Sequence, residues 1–334
     1  MTAPVRTRRI GPFEVAPVGL GCMSLDHAYG TPVDAAAGRA VVEAALDLGV
    51  TLFDTAALYG FGANETRLGP LLRRHRDRIV LASKGGMFGV DGRRVIDGRP
   101  ETLFRNCEDS LARLGTDVID LYYLHRRDPQ VPVEDSVGAL SRLVEQGKIR
   151  AIGLSEVSAA TLRRAHAVHP VAAVQTEYSL WSRNPEIGVL AACRELGAGF
   201  VAFSPIARGY LGDRLGQAGI DALPDGDIRR GMPRFQAAHW PANRALLAPL
   251  RAVAAEAGCT PAQAALAWLL AQDGDIVPIP GTTSVAHLRE NVAAAAVVLT
   301  PAQLGRLDAA INPRTVSGPR YPAGTQAEID TEEY

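Results

Sequence analysis

The chain has 334 residues, of which 47% are hydrophobic and 21% charged, and its formal net charge is −1. Such a balance excludes the strong cationic field that draws a protein to nucleic acid or to an anionic membrane surface, and the composition is that of a globular protein with a substantial core. The length fits two average domains or one large α/β barrel.

Residues 8–18, "RRIGPFEVAPV", come first and read as a small hairpin turning at Gly11-Pro12, placed to plug a barrel floor. Short β-branched runs then alternate with longer helical patterns. The predicted strands are "PVGLGCM" (17–23), "TLFDTA" (51–56), "IVLASK" (79–84), "VIDLYYLH" (118–125), "IRAIGLS" (149–155), "VAAVQTEY" (171–178), "GFVAFSPI" (199–206) and "DIVPIPG" (275–281). Most are apolar on both faces, as parallel strands covered by helices are. Between them, "DAAAGRAVVEAALDLG" (34–49) opens on an Asp cap and stops at Gly49. "RPETLFRNCEDSLARLG" (99–115) and "PVEDSVGALSRLVEQG" (132–147) repeat that design.

Eight such units without a composition break predict right-handed parallel crossovers and closure into a single (β/α)8 TIM barrel spanning residues 1–334. Residues 207–242 are rich in Gly, Pro and charge, show no clear element, and follow strand seven. A loop of that length there is expected to overhang the mouth and touch substrate or cofactor. Residues 312–334 read as an irregular C-terminal tail.

The cysteines, Cys22, Cys107, Cys193 and Cys259, form no CxxC or zinc pattern and no dense disulfide framework. A reducing cytoplasm is the expected location. The N-terminal "MTAPVRTRRIGPFEV" has no apolar region of a signal peptide, and "VAAAAVVL" (292–299) is too short to span a bilayer.

Chemistry in a barrel of this kind sits at the C-terminal ends of the strands. Strand two ends at Asp54 with Tyr59 in the loop behind it, strand three at Lys84 and strand four at His125. An acid, a phenol, an amine and an imidazole are thus delivered to one face. A free phenol titrates near 10. A neighbouring ammonium favours the phenolate, so Lys84 is expected to lower the Tyr59 pKa, and Asp54 to hold Lys84 charged. His125 is placed to orient a carbonyl. Such a site can protonate an alkoxide as hydride arrives. Singly, each has an ordinary reading: a helix-capping Asp, a solvated Lys, a satisfied core His. Convergence on one rim favours function.

Gly281, Thr282 and Thr283 precede a helix from about Ser284, and a helix N-terminus suits a phosphate, although Gly-Thr-Thr there is also ordinary capping. Phe203 offers a flat face and Ser204 a hydroxyl, while Ser155, Glu156 and Gln175 can grip a carboxamide. "GLGCMS" and "GFGANE" do not complete a GxGxxG pattern. "HAVH" (166–169) lacks a third ligand, so no metal is expected.

Together "GLGCM", "DTAALYG…NETRLG", "LASKGG", "YYLHRRD", "GKIRAIGLSE", "VQTEYSLW", "FSPIARGYL" and "IPGTTSVAHLREN" resemble the aldo-keto reductase family over nearly the whole length, nearest the bacterial and plant-like branch with LHRxD and GLSE signatures. The resemblance implies a (β/α)8 barrel and a catalytic tetrad of Asp54, Tyr59, Lys84 and His125. It implies extended NAD(P)H bound without a Rossmann fold, with Gly21 and Met23 near it and Ser155, Glu156 and Gln175 on the carboxamide. Phe203 would stack on the nicotinamide, Ser204, Gly209, Gly281 and Thr283 would serve the phosphates, Glu290 and Asn291 the adenine and His287 the region of the 2′-phosphate, with Pro205, Ile206 and Thr282 also among the cofactor-binding residues. Substrate specificity is expected from the 207–242 loop, the tail around "SGPRYPAG" (317–324) and residues near Met23, Phe88 and Trp181, with Phe88 and Trp181 lining the pocket.

Many relatives carry Lys or Arg where this chain has Ser284 and His287, which weakens the preference for a 2′-phosphate. NADPH is the expected cofactor, with NADH as the alternative. The expected reaction is reversible reduction of an aldehyde or ketone, with hydride from the nicotinamide and a proton from Tyr59. Two other readings are a nucleotide-binding regulatory subunit resembling potassium-channel β-subunits and a lyase using Lys84 as a Schiff-base nucleophile. The latter wants a lowered lysine pKa, which Asp54 opposes. The expected partner is a small carbonyl substrate, with no nucleic acid and no membrane; oligomeric state is open.

Overall fold

A computed structural model describes residues 7–212, 215 and 220–334. Residues 213, 214 and 216–219 of the expected mouth loop lie outside the described residues. Strands β1 (Arg8–Ile10) and β2 (Phe13–Val15) form the antiparallel hairpin expected at the start. The main sheet is made of β3 (Leu20–Gly21), β4 (Leu52–Asp54), β5 (Val80–Gly85), β8 (Ile119–Leu124), β9 (Ile149–Ser155), β10 (Val171–Glu177), β11 (Gly199–Phe203) and β12 (Ile276–Pro278), paired in that order and all parallel. Each lies within a run predicted from sequence, except that β5 extends one residue further, to Gly85. A second hairpin, β6 (Met87–Val90) with β7 (Arg93–Ile96), follows β5 and was not expected.

A bridge between Gly21 and Gly281 closes the sheet into a (β/α)8 barrel. Both positions need glycine at this seam. A Cβ on Gly21 would come 2.7 Å from the Ile279 carbonyl oxygen, and one on Gly281 3.0 Å from that of Gly21. Their place in the sequence suggested cofactor contact; barrel closure supplies an independent steric reason for them.

Helices α1 (Ala35–Asp47), α2 (Ala63–Leu72), α3 (Pro100–Leu114), α4 (Val133–Glu145), α5 (Ala159–Val168) and α6 (Val189–Leu196) follow successive strands. Asp34 caps α1 by accepting from Ala37 N at 2.7 Å. Pro100 opens α3 at a position that needs no N–H donor. Gly115 closes it at φ 62°, in the left-handed region where glycine carries no Cβ penalty. Later come α7 (Trp240–Ala245), α8 (Leu247–Glu256), α9 (Pro261–Leu270), α10 (Val285–Ala293) and α11 (Pro301–Ala310). Capping boxes start α9 and α11, at Thr260 and Thr300.

Strand side chains alternate between two cores. Phe53, Leu81, Tyr122, Ile152, Val174 and Phe200 pack outward with the helices. Leu52, Val80, Ala82, Leu121, Tyr123, Ala151, Ala173, Val201, Val277 and Ile279 fill the barrel, joined from below by Ile10 and Val15 of the hairpin. Each such burial stabilises by roughly 1.5–3 kcal/mol for a Val or Leu. Arg8 pins the plug by donating to the carbonyls of Ile276 at 2.8 Å and Leu270 at 2.6 Å. Among the described residues no helix is long and apolar enough to cross a membrane, and Cys22, Cys107, Cys193 and Cys259 are free thiols.

Candidate active site

The period of two that fills the barrel also fixes what reaches its mouth. Leu52 points inward, so Asp54 does. Val80 and Ala82 point inward, so Lys84 does. Leu121 and Tyr123 bring His125 to the same side, and Ala151 brings Ser155. Gly153 interrupts its inward series because the Tyr123 ring occupies its place: a Cβ there would sit 2.3 Å from the ring.

Tyr59 comes from a tight turn after β4. Gly60, Phe61 and Gly62 have φ of 56°, 52° and 95°. Phe61 is not glycine, and its left-handed backbone is a local strain. Its ring lies edge-on to His27, with centroids 6.3 Å apart. Asn64 latches the turn by accepting from Thr55 Oγ1 at 2.6 Å and donating to Asp26 at 2.7 Å and to the Cys22 carbonyl at 2.9 Å.

Lys84 is the hub. Its ammonium donates to Asp54, to the Thr55 carbonyl at 2.9 Å and to the Tyr59 hydroxyl oxygen at 3.1 Å. An ammonium has three protons, and three acceptors surround it. Burial opposes the charge, but Asp54 and the Tyr59 oxygen outweigh it and the Lys84 pKa rises. A lysine held charged is a poor Schiff-base nucleophile.

The sequence led us to expect a lowered Tyr59 pKa. The structure corrects this: burial is the largest influence and raises it, with Lys84 and Arg126 opposing. Tyr59 is therefore a phenol at neutral pH. Since Lys84 donates to the phenol oxygen, the O–H remains available as a donor. His125 stands edge-on to the Tyr59 ring, centroids 5.9 Å apart, and its buried Nδ1 has no partner among the described residues. Burial first, then Lys84 and Arg126, pushes its pKa well down, so the imidazole is neutral.

Gln175 donates to Asp54 at 2.7 Å, and Ser155 accepts from Arg126 at 3.2 Å. Glu156, read from sequence as a carboxamide ligand, is engaged elsewhere. Its carboxylate accepts from Glu177 N at 3.0 Å and from Arg320 at 2.7 Å. Arg208 holds Glu177 through two bonds, of 3.0 and 2.7 Å. Sequence reasoning missed Glu177, Arg208 and Arg320. The available signal was two acids at the rim of adjacent buried strands, which require cations.

Met23 packs beside Tyr59 with Met87 and Ile96, and Phe88 is half-buried on β6. Trp181 does not face the mouth freely. It is 2% exposed and stacks on Tyr210 at 4.1 Å, with Phe235 against its edge. Phe203 is half-buried at the end of β11. Ser204, Ala207, Arg208 and Gly209 turn the chain through positive φ. Thr282 and Ser284 bond one another, and Ser284 caps α10. Thr283 is exposed, Glu290 and His287 half-buried and Asn291 buried. The Ser24 hydroxyl is buried without a partner among the described residues, at the position a Cβ on Gly281 would approach to 3.2 Å. His166 of the "HAVH" pair accepts from Val171 N at 3.2 Å, and no metal-ligand cluster occurs among the described residues.

The tail wraps this rim. Asp330 N donates to the Glu156 carbonyl at 3.0 Å, and Glu332 accepts from Ala159 N at 2.7 Å at the start of α5. Two residues before Asp330, Glu328 is gripped by Arg94 of β7 at 2.5 and 2.6 Å.

A model of the aldo/keto reductase family matches residues 17–312. A curated relative from Glycine max, described as probable aldo-keto reductase 1, is 43% identical over 317 residues, covering 93% of this chain and 90% of the relative. The structure of a glycerol dehydrogenase from Gluconobacter oxydans matches with a TM-score of 0.84 at 28% identity, over 96% of this chain and 99% of that one. An aldo/keto reductase from Klebsiella pneumoniae, solved with NADP and acetate, matches with a TM-score of 0.71 at 28% identity, over 95% of this chain and 98% of that one.

Proposed function

Because the chain belongs to the aldo/keto reductase family and is an NAD(P)H-dependent carbonyl reductase, we propose that Asp54, Tyr59, Lys84 and His125 are its catalytic residues and Tyr59 its proton donor. The observation that carries this reading is the 3.1 Å approach of Lys84 to the Tyr59 oxygen, with Asp54 behind the lysine.

The nicotinamide cofactor supplies hydride when bound. The orphaned Ser24 hydroxyl beside Gly281 is the kind of buried donor that a bound phosphate or ribose satisfies, so the residues fit such a group. Ser155, Phe203, Ser204, Gly281, Thr282, Thr283 and Asn291 would hold it. The Tyr59 O–H and the neutral His125 ring grip the carbonyl oxygen. As charge develops on that oxygen, Tyr59 releases its proton to it. Lys84 stabilises the phenolate left behind, and Asp54 keeps Lys84 charged and oriented. NADPH is the preferred cofactor on this reading; four free thiols fit a reducing, cytoplasmic setting.

The test is a titration with NADPH and NADH, followed by a panel of aldehydes and ketones with whichever binds. Tight binding with no turnover of any carbonyl would overturn the assignment.

A further inference from the structure

Among the described residues, the buried lysine and arginine side chains are Lys84, Arg126, Arg208 and Arg320. Lys84 is paired with Asp54, Arg208 with Glu177 and Arg320 with Glu156. Arg126 is 9% exposed and has no carboxylate among the described residues. Its Nη1 donates to the His125 carbonyl at 2.8 Å and to the Ser155 hydroxyl at 3.2 Å, both neutral acceptors. Its Nε and Nη2 meet no acceptor among the described residues, yet they are not sealed from solvent. A guanidinium this buried is costly without an anion.

Its position says where the missing anion belongs. Arg126 follows His125 at the end of β8 and reaches Ser155 at the end of β9, so it stands on the mouth. Its charge is felt at the Tyr59 hydroxyl. The acids nearby are already matched: Asp54 by Lys84, Glu156 by Arg320, Glu328 by Arg94, and Asp330 by Arg127 at 3.7 Å. Among the described residues Arg126 is thus a guanidinium fork beside the reacting groups with no carboxylate of its own. A guanidinium fork matches the two oxygens of a carboxylate.

We propose that Arg126 binds a carboxylate carried by the substrate, so that short oxo acids, and not neutral carbonyl compounds, are the preferred substrates. This rests on the carbonyl-reductase reading of the same site. It makes Arg126 a specificity residue for the reaction and accounts for a charge that the proton-transfer steps do not use.

Two measurements on the full-length enzyme test it. The first is binding of butanoate to the enzyme–NADP⁺ complex. The second is kcat/KM for glyoxylate against acetaldehyde and for succinic semialdehyde against butanal. Arg126→Met is expected to weaken butanoate at least about tenfold, the worth of one charged hydrogen bond. The acid-to-aldehyde ratio should fall by a similar factor for the better-spaced pair, with NADP⁺ affinity held within about twofold. Arg126→Lys keeps the charge without the fork and should fall between, which separates the site from a folding defect. Equal butanoate binding in wild type and Arg126→Met overturns the proposal. So does an unchanged ratio accompanied by lost NADP⁺ affinity, which would make Arg126 a cofactor residue acting through Ser155. Arg126-dependent butanoate binding in an enzyme that reduces none of these carbonyls would sink the reductase reading and leave the carboxylate site standing.

Discussion

The Tyr59 oxygen lies 3.1 Å from the Lys84 ammonium, and the same ammonium reaches the Thr55 carbonyl at 2.9 Å and the Asp54 carboxylate. Lysine has no acceptor, so the direction of the bond is fixed. Tyr59 accepts from Lys84 and keeps its own proton for a third party. The geometry thus distinguishes a loaded acid from a phenol that merely completes a buried network.

Removing that proton isolates its contribution. Tyr59→Phe should lower kcat for carbonyl reduction by about 10²–10⁴-fold, the usual worth of a positioned acid. Cofactor fluorescence quenching should persist, since the ring and its packing stay. Turnover near the wild-type level would dismiss Tyr59 as donor.

The pH profile of reduction follows from two buried groups. His125 is held neutral well below its ordinary 6.5, and Tyr59 is held protonated above its ordinary 10.0. The rate constant kcat should therefore pass through pH 6–7 without a break and decline only above about pH 10. An inflection near pH 6.5 would mean that the imidazole titrates in the working enzyme and that its burial has been misjudged.

Asp54→Asn leaves the Gln175 contact possible but strips Lys84 of its anion. Breaking a buried pair in this way destabilises by about 3–5 kcal/mol. The folded-state pKa of Lys84 is raised, so its contribution is fully present below the unfolded value of about 10.5 and is lost as pH rises through the folded one. Urea unfolding at neutral pH and again above pH 11 should show a large gap between wild type and variant that narrows at the higher pH. A gap under about 1 kcal/mol at neutral pH would mean the pair contributes little.

Ser284 caps α10 and is intermediate in exposure, with no cation at that position. Ser284→Lys should raise the ratio of kcat/KM for NADPH over NADH by about tenfold, through one added charge on a 2′-phosphate. The same ratio in both proteins would place that phosphate elsewhere.

Much of this was legible in the sequence because it is local. The barrel strands are short apolar runs, and an apolar run ending at Asp54, Lys84 or His125 announces its place on the rim. The hairpin Met87–Val90 with Arg93–Ile96 was not legible, since "MFGVDGRRVI" has mixed faces and packs at the mouth instead of in the core. Nor was the Glu156–Arg320 pair, whose partners are 164 positions apart and meet only because the tail crosses the rim. The Tyr59 pKa was misjudged because sequence displays a neighbouring charge but not the depth of burial, and depth is the larger influence here.

The tail is fastened to the mouth by two unequal ion pairs. Arg320 and Glu156 meet where neither side chain is more than 2% exposed, whereas Arg94 is 40% and Glu328 27% exposed. Dissolved ions weaken the outer clasp and scarcely reach the inner one. Rising ionic strength therefore loosens the contact between the β6–β7 hairpin and the tail before it loosens the one at Arg320.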